Sequence, residues 1–216
     1  MPELSSRDGL HLLDLGDSEN RFSPDWMSAI DAALDEVVAA PAPLVATGRG
    51  KFYSNGLDLD WVAQHPDEFD SYVAQVQRLY ARILTLPVPT ATAVNGHAFG
   101  AGAMLALAFD WRVMRADRGF FCFPEVDIRI PFSTGMAALI QVKVSPRTAV
   151  DAMTTGTRFG GPDALAAGLV DGVAGEDDLL SVASARVCGL QGKHAETLGK
   201  IKSTMYADVV AALLQA

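Results

Sequence analysis

The sequence predicts an α/β fold in which most strands run parallel. Three observations carry this expectation. Short apolar runs of strand length alternate with stretches of helical periodicity along the whole chain. Two of the strand-like runs end in glycine-rich corners, the usual place for a ligand in a parallel sheet. Half of the 216 residues are hydrophobic, enough to form one substantial core.

Taken in order, "LHLLDL" (10–15) reads as a buried strand. "SPDWMSAIDAALDEVVAA" (23–40) opens with Ser23 as N-cap and Pro24 at the first helical position. Its Met27, Ile30, Leu34 and Val37 then recur at helical spacing. "PLVATG" (43–48) is a second strand. Residues 66–84 form a long helix with Phe69, Val73, Val76, Leu79 and Ile83 on one face. "PVPTATAVNG" (87–96) is a third strand, and "AGAMLALAF" (101–109) is a helix apolar on every side. "WRVMRA" and "GFFCF" are two further strands joined by a turn at "DRG". "PFSTGMAALIQVKV" and "PRTAVDAMTTG" are helices, "PDALAAGLVDGVA" is a helix stopping at Gly168 followed by a short strand, and 176–213 is helical.

Composition excludes several functions. The formal net charge of −9 is wrong for nucleic acid, whose phosphates demand a basic face. No apolar run approaches the roughly 18 residues of a membrane span, and "MPELSSRDGL" has no secretory pattern. The C-terminal "ALLQA" is not a peroxisomal address. Cys122 and Cys188 match no metal spacing and are expected as reduced, buried thiols of a cytoplasmic protein.

The two corners, "GRGKFYSNGLDL" (48–59) and "NGHAFGAGAML" (95–105), carry the chemical information. Bare corners beyond two strands present free backbone N–H groups from two directions, and a pair of such donors is what an oxyanion hole requires. The helix that begins near Gly100 adds positive potential at its N-terminus. A phosphate loop needs Gly-Lys-Ser/Thr, and "GHAFGAGAM" has no lysine. A dinucleotide fingerprint needs a further glycine where Leu105 stands. Tight helix–strand packing alone is the competing explanation for these glycines.

"GKFYSNGLDL", "PTATAVNGHAFGAGAMLALAFDWRVM", "FCFPEVDI" and "GTRFGGPDALAAGLVDGV" together resemble, in order and interval, the crotonase family, also called the enoyl-CoA hydratase/isomerase family. The likeness implies a crotonase-like ββα spiral over residues 1–190, with a C-terminal helical segment, 191–216, in the same domain. It implies an acyl-CoA thioester substrate and a homotrimer or dimer of trimers. No cofactor is implied beyond the coenzyme A that the substrate carries, and no metal, nucleic acid or membrane partner. By position, the oxyanion donors are the backbone N–H groups of Leu57, which follows Gly56, and Ala101, which follows Gly100. Ala101 stands where the family more often has glycine, a change that leaves a backbone donor in place.

Family hydratases use two glutamates. The first of those positions falls here on Met104, and the second on Glu125 in "FPEVDI". Adding water calls for two groups, whereas moving a double bond from the 3,4 to the 2,3 position needs one shuttling base. The pattern is thus similar to the Δ3,Δ2-enoyl-CoA isomerases, with Phe121, Phe123, Met104 and Phe132 expected to form an apolar pocket that raises the Glu125 pKa. Another crotonase chemistry such as hydration, or a non-catalytic acyl-CoA-binding role, stays open, as does a solvated Glu125 at a strand end. Asp127, two residues along an extended chain, would point the same way as Glu125. Asp58 and Asp60 read as turn and helix-start residues, Asp151 as a surface group, and His97 as a neighbour of the second corner. Arg49, Lys51, Lys200 and Lys202 are candidates either for the coenzyme's phosphates or for solvent. Trp61 is expected to shape the acyl tunnel or to cover the core.

Overall fold

A computed structural model describes residues 1–215. The chain enters through a hairpin of β1 (Glu3–Arg7) and β2 (Leu10–Asp14), followed by α1 (Pro24–Ala39). Then come β3 (Leu44–Thr47), β4 (Phe52–Ser54), α2 (Leu59–Gln64) and α3 (Phe69–Leu84). The next repeat is β5 (Thr90–Val94), β6 (His97–Phe99) and α4 (Ala101–Ala108). A third holds β7 (Trp111–Arg115), β8 (Phe121–Cys122), the one-turn α5 (Glu125–Ile128) and α6 (Thr134–Lys143). The chain ends with α7 (Pro146–Thr155), α8 (Gly161–Ala166), β9 (Gly172–Ala174), α9 (Leu179–Cys188), α10 (Ala195–Met205) and α11 (Ala207–Leu214).

Two sheets result. The larger has the order β1-β2-β3-β5-β7-β9 and the smaller β4-β6-β8. Each ββα repeat therefore gives one strand to each sheet. All pairings are parallel except β1–β2, so the expected α/β spiral with C-terminal helices is the fold observed. The parallel strands are apolar on both faces because both are covered. Val45, Ala91, Ala93 and Val113 pack under Leu179, Ala183 and Val187 of α9. The other face meets the main core, whose centre is α4, buried along its whole length.

Several features differ from the sequence reading. The β1–β2 hairpin was not anticipated, although Asp8-Gly9, both at positive φ, form the two-residue turn that such a hairpin favours. β4 and β6 lie inside the glycine corners, where they are three residues each and too short to show a pattern. The helix expected from residue 66 starts as a 3₁₀ turn, Pro66–Glu68. Its buried face is Tyr72, Val76, Leu79, Tyr80 and Ile83, because the tyrosines complete the stripe while Phe69 is exposed. Both cysteines are free, but Cys188 is exposed rather than buried.

The C-terminal helices are fastened by an ion pair between the buried Lys202 and the half-buried Asp110. Lys202 of α10 donates to Asp110 Oδ2 at 2.6 Å and to the Val88 carbonyl at 2.7 Å. Asp110 also accepts from the Thr90 N–H at 2.9 Å, so α10 is tied to the start of β5 and to the α4–β7 turn. Lys202 is thus engaged inside the fold, and Lys200 pairs with Glu196 at the surface. Removing the lysine leaves the half-buried Asp110 charge uncompensated. Lys202→Met is expected to lower the urea-unfolding free energy by about 3 kcal/mol or more. Lys200→Met is expected to change it by no more than about 0.5 kcal/mol.

Candidate active site

The first corner, between β4 and α2, is shaped by two buried asparagines. Asn95 accepts from the Gly48 N–H at 3.0 Å and donates to the Gly50 and Phe52 carbonyls, each at 3.3 Å. Asn20, itself at φ +49°, donates to the Gly16 and Tyr53 carbonyls at 3.2 and 3.0 Å. Ser54 Oγ donates to the Asn20 carbonyl at 2.7 Å and accepts from the Gly56 N–H at 3.1 Å. The corner is thus held by side chains that satisfy backbone groups no sheet could pair.

Gly56 (φ +79°) brings this corner against the second. A side-chain carbon there would fall 2.8 Å from the Phe99 carbonyl oxygen and 3.0 Å from the Ala101 nitrogen. Gly100, at φ +50° and ψ −119°, turns the chain from β6 into α4. Only glycine accepts such backbone without strain. Among the described residues, no hydrogen bond takes up the Leu57 N–H. The Ala101 N–H is the first of α4, where helical geometry provides no acceptor. Leu57, Gly100 and Ala101 line one cavity of about 370 Å³.

Glu125 lines the same cavity. It is the first residue of α5, a single turn closed by Arg129 in the left-handed region at φ +60°. The Ile130 N–H donates to the Glu125 carbonyl at 3.1 Å and fixes the turn. Its Oε1 lies 3.2 Å from where a side-chain carbon on Gly100 would stand, and its buried Oε2 has no hydrogen-bond partner. At 8% exposure, Glu125 is the only buried carboxylate among the described residues. Burial penalises the charged form and pushes its pKa up to about 7, a hydrogen bond to its own backbone opposing only part of the rise.

A second cavity of about 420 Å³ also opens on Glu125, walled by Val126, Ile130, Pro131, Phe132 and Met153. Phe132 thus shares a cavity with Glu125. Phe123 packs edge-on behind Phe132 at 6.2 Å and against Phe121 at 5.8 Å. Met104, expected in the pocket wall, is sealed in the core and lines neither cavity. Gly56 stands behind Leu57 and gives the close approach rather than a surface.

Asp127 requires a correction. The chain from Glu125 is a helical turn, so residues two apart diverge instead of pointing alike. Asp127 is exposed and faces Gly156. Asp58 caps α2 by accepting from the Trp61 N–H at 3.2 Å, and Asp60 pairs with Arg21 at the cavity rim. Asp151 pairs with Arg147 on the surface. His97 stacks on Phe99 at 5.1 Å, with a buried Nδ1 that has no partner and a pKa lowered by burial and by the nearby charges of Lys51, Arg118 and Arg158. Arg49 pairs with Asp14 at 2.6 Å, and Trp61 stacks on Tyr72 at 5.2 Å.

Arg21, Asn55 and Arg158 also line the first cavity and escape a reading of the sequence. Arg21 arrives from the loop after β2, which bridges to Gly56, and Arg158 reaches across the Phe99 ring at 5.7 Å. Both contacts join segments far apart in the chain, and no local pattern announces them.

Comparison with known proteins gives a consistent result. The profile of the family described as "Enoyl-CoA hydratase/isomerase" matches residues 13–216. "Enoyl-CoA delta isomerase 3" of Arabidopsis thaliana is 34% identical over 223 residues, covering 97% of this chain and 93% of that protein. An enoyl-CoA hydratase/isomerase family protein from Pseudomonas syringae superposes with TM-score 0.93 at 27% identity, covering 98% and 93% of the two chains. Human mitochondrial delta3-delta2-enoyl-CoA isomerase superposes with TM-score 0.92 at 20% identity, covering 99% and 86%, a likeness of fold.

The raised Glu125 pKa has a consequence for stability. The folded protein holds this proton to about pH 7, while the unfolded chain releases it near 4.5. Folding is therefore disfavoured progressively as pH rises through that window, and the penalty is complete above pH 7. Glu125→Gln removes it. The stability of the variant relative to wild type is expected to climb between pH 4.5 and pH 7, by up to about 3 kcal/mol, in denaturant titrations run across that range.

Proposed function

The chain belongs to the enoyl-CoA hydratase/isomerase family, and on that premise we propose that it is an enoyl-CoA isomerase moving a 3,4 double bond to the 2,3 position, with Glu125 as the single base. The observation that carries this reading is the isolation of Glu125: the only buried carboxylate among the described residues, poised over Gly100 and beside two backbone donors. The names of the Arabidopsis delta isomerases support the same reaction.

In this reading the thioester carbonyl oxygen rests between the Leu57 and Ala101 N–H groups. Glu125 takes a proton from C2. The electron pair of that C–H bond forms C1=C2, and negative charge develops on the oxygen that the two donors face. The carbonyl then re-forms, C1=C2 becomes C2=C3, and the former C3=C4 pair takes the proton at C4 from the Glu125 carboxylic acid. The carboxylate is regenerated, with no net gain or loss of atoms. A pKa near neutrality suits both halves, since the group must accept a proton and then surrender it. The acyl chain runs past Glu125 into the second cavity, between Ile130, Phe132 and Met153. Coenzyme A enters only as part of the substrate. Hydration would need a second group to place water, and the residue at the corresponding position is Met104, whose thioether carries no acid or base.

With 3-enoyl-CoA the protein is expected to raise the absorbance of the conjugated thioester, and with 2-enoyl-CoA to leave it unchanged. Loss of absorbance with 2-enoyl-CoA would make it a hydratase, and silence with both despite measurable binding would make it a binding protein. Glu125→Gln is expected to lower kcat by about 10³-fold or more. The free enzyme needs the ionised carboxylate, so kcat/KM is expected to rise with pH through a midpoint of about 7. A midpoint at the ordinary carboxylate value would contradict a buried base.

A further inference from the structure

The two corners that would form the oxyanion hole belong to different repeats, and both are hydrogen-bonded by one helix. Tyr72 and Tyr80 lie about two turns apart on α3 and so share its buried face. The Tyr80 hydroxyl donates to the carbonyl of Ala101 at 2.8 Å. The Tyr72 hydroxyl accepts from the N–H of Asp58, the residue after Leu57, at 2.9 Å. Each phenol therefore holds the backbone at, or next to, one of the two donor residues. Both rings are buried, with 1% and 0% exposure.

We propose that Tyr72 and Tyr80 are positioning residues that set the spacing and aim of the Leu57 and Ala101 N–H groups, making α3 a brace across the oxyanion hole. The inference rests on the enoyl-CoA reading of the site. Neither hydroxyl lines either cavity, so neither touches substrate. Their chemistry fits a fixed scaffold. Burial raises the Tyr72 pKa to about 12 and lifts that of Tyr80 well above the ordinary phenol value, so both phenols stay protonated and keep these bonds across the working pH range. Tyr72 is in turn held by stacking on Trp61 at 5.2 Å, and Asp58, whose N–H it receives, caps α2 through its own side chain. One rigid element thus reaches both corners, adding to the β4–β6 pairing, the Asn95 bonds and the close approaches at Gly56 and Gly102 that already join them. Donors that must face a developing charge lose much of their effect when displaced by about 1 Å.

The test compares Tyr72→Phe and Tyr80→Phe with Tyr206→Phe. Tyr206 is a buried tyrosine whose hydroxyl accepts from Lys143 Nζ at 3.3 Å and lines neither cavity. For Tyr72→Phe and Tyr80→Phe, kcat with 3-enoyl-CoA is expected to fall about 10- to 100-fold, with KM within about twofold of wild type. For Tyr206→Phe, both are expected to stay within about twofold. The infrared carbonyl band of a bound, ¹³C-labelled saturated acyl-CoA reports the hole without turnover. It is expected to lie at lower frequency than in water for wild type and Tyr206→Phe, and to move back toward the solution value in the other two. Folded Tyr72→Phe and Tyr80→Phe variants with wild-type kcat and an unshifted band would overturn the brace. So would an equal loss in Tyr206→Phe. Should Tyr80→Phe not fold, Tyr72→Phe gives the same two readouts. A wild-type protein that binds acyl-CoA without isomerising 3-enoyl-CoA refutes the isomerase reading, and the carbonyl band still decides on the brace.

Discussion

The close approach of Gly56 to the first turn of α4 is the constraint on which the site depends. The peptide after Gly56 and the N-terminus of α4 come from consecutive repeats, and their contact leaves no room for a side chain on Gly56. Gly102 is equally confined, since a side-chain carbon there would fall 2.3 Å from the Ser54 carbonyl oxygen. The ββα repeat makes the contact possible by delivering β4 and β6 side by side, with Phe52 opposite His97. The buried carboxamides of Asn20 and Asn95 then absorb the backbone groups that such abrupt corners strand. Unpaired donors at Leu57 and Ala101 are the exception that this satisfied surrounding leaves open.

Burial of Glu125 is the second half of the same design. A carboxylate with one oxygen unpartnered in the interior weakens folding, and at neutral pH the fold tolerates that because the rest of the core is large. What the strain of desolvation gives in return is basicity. The one-turn helix α5, closed by the left-handed Arg129, holds this group beside Gly100. The placement of two cavities on either side of Glu125 follows from the same turn.

Much of the fold was legible in the sequence, because long apolar helices and strands write their period plainly. α1 with its Ser23 cap, the fully buried α4 and the strands β3, β5 and β7 all follow from local pattern. The short strands β4 and β6 were hidden within the corners they build, since three residues cannot display an alternation. In the site, Leu57, Gly100, Ala101 and Glu125 were named from motif and do meet at one cavity. The directions of Met104 and Asp127 depend on local backbone that the residue pattern does not display, and Arg21, Arg158, Tyr72 and Tyr80 make contacts between distant segments.

A single shielded base makes a demand on isotopes that a pair of groups, or a solvent-coupled base, does not. In the proposed shuttle, the proton taken from C2 would reside on a carboxyl group at 8% exposure before its delivery to C4. The most direct measurement follows a 3-enoyl-CoA deuterated at C2 and locates the label in the 2-enoyl product by mass spectrometry and NMR. A one-base shuttle predicts that a measurable share of the label lost from C2 reappears at C4 of the same molecule. Hydrogen at C4 drawn wholly from solvent, from the first turnover onward, would contradict it.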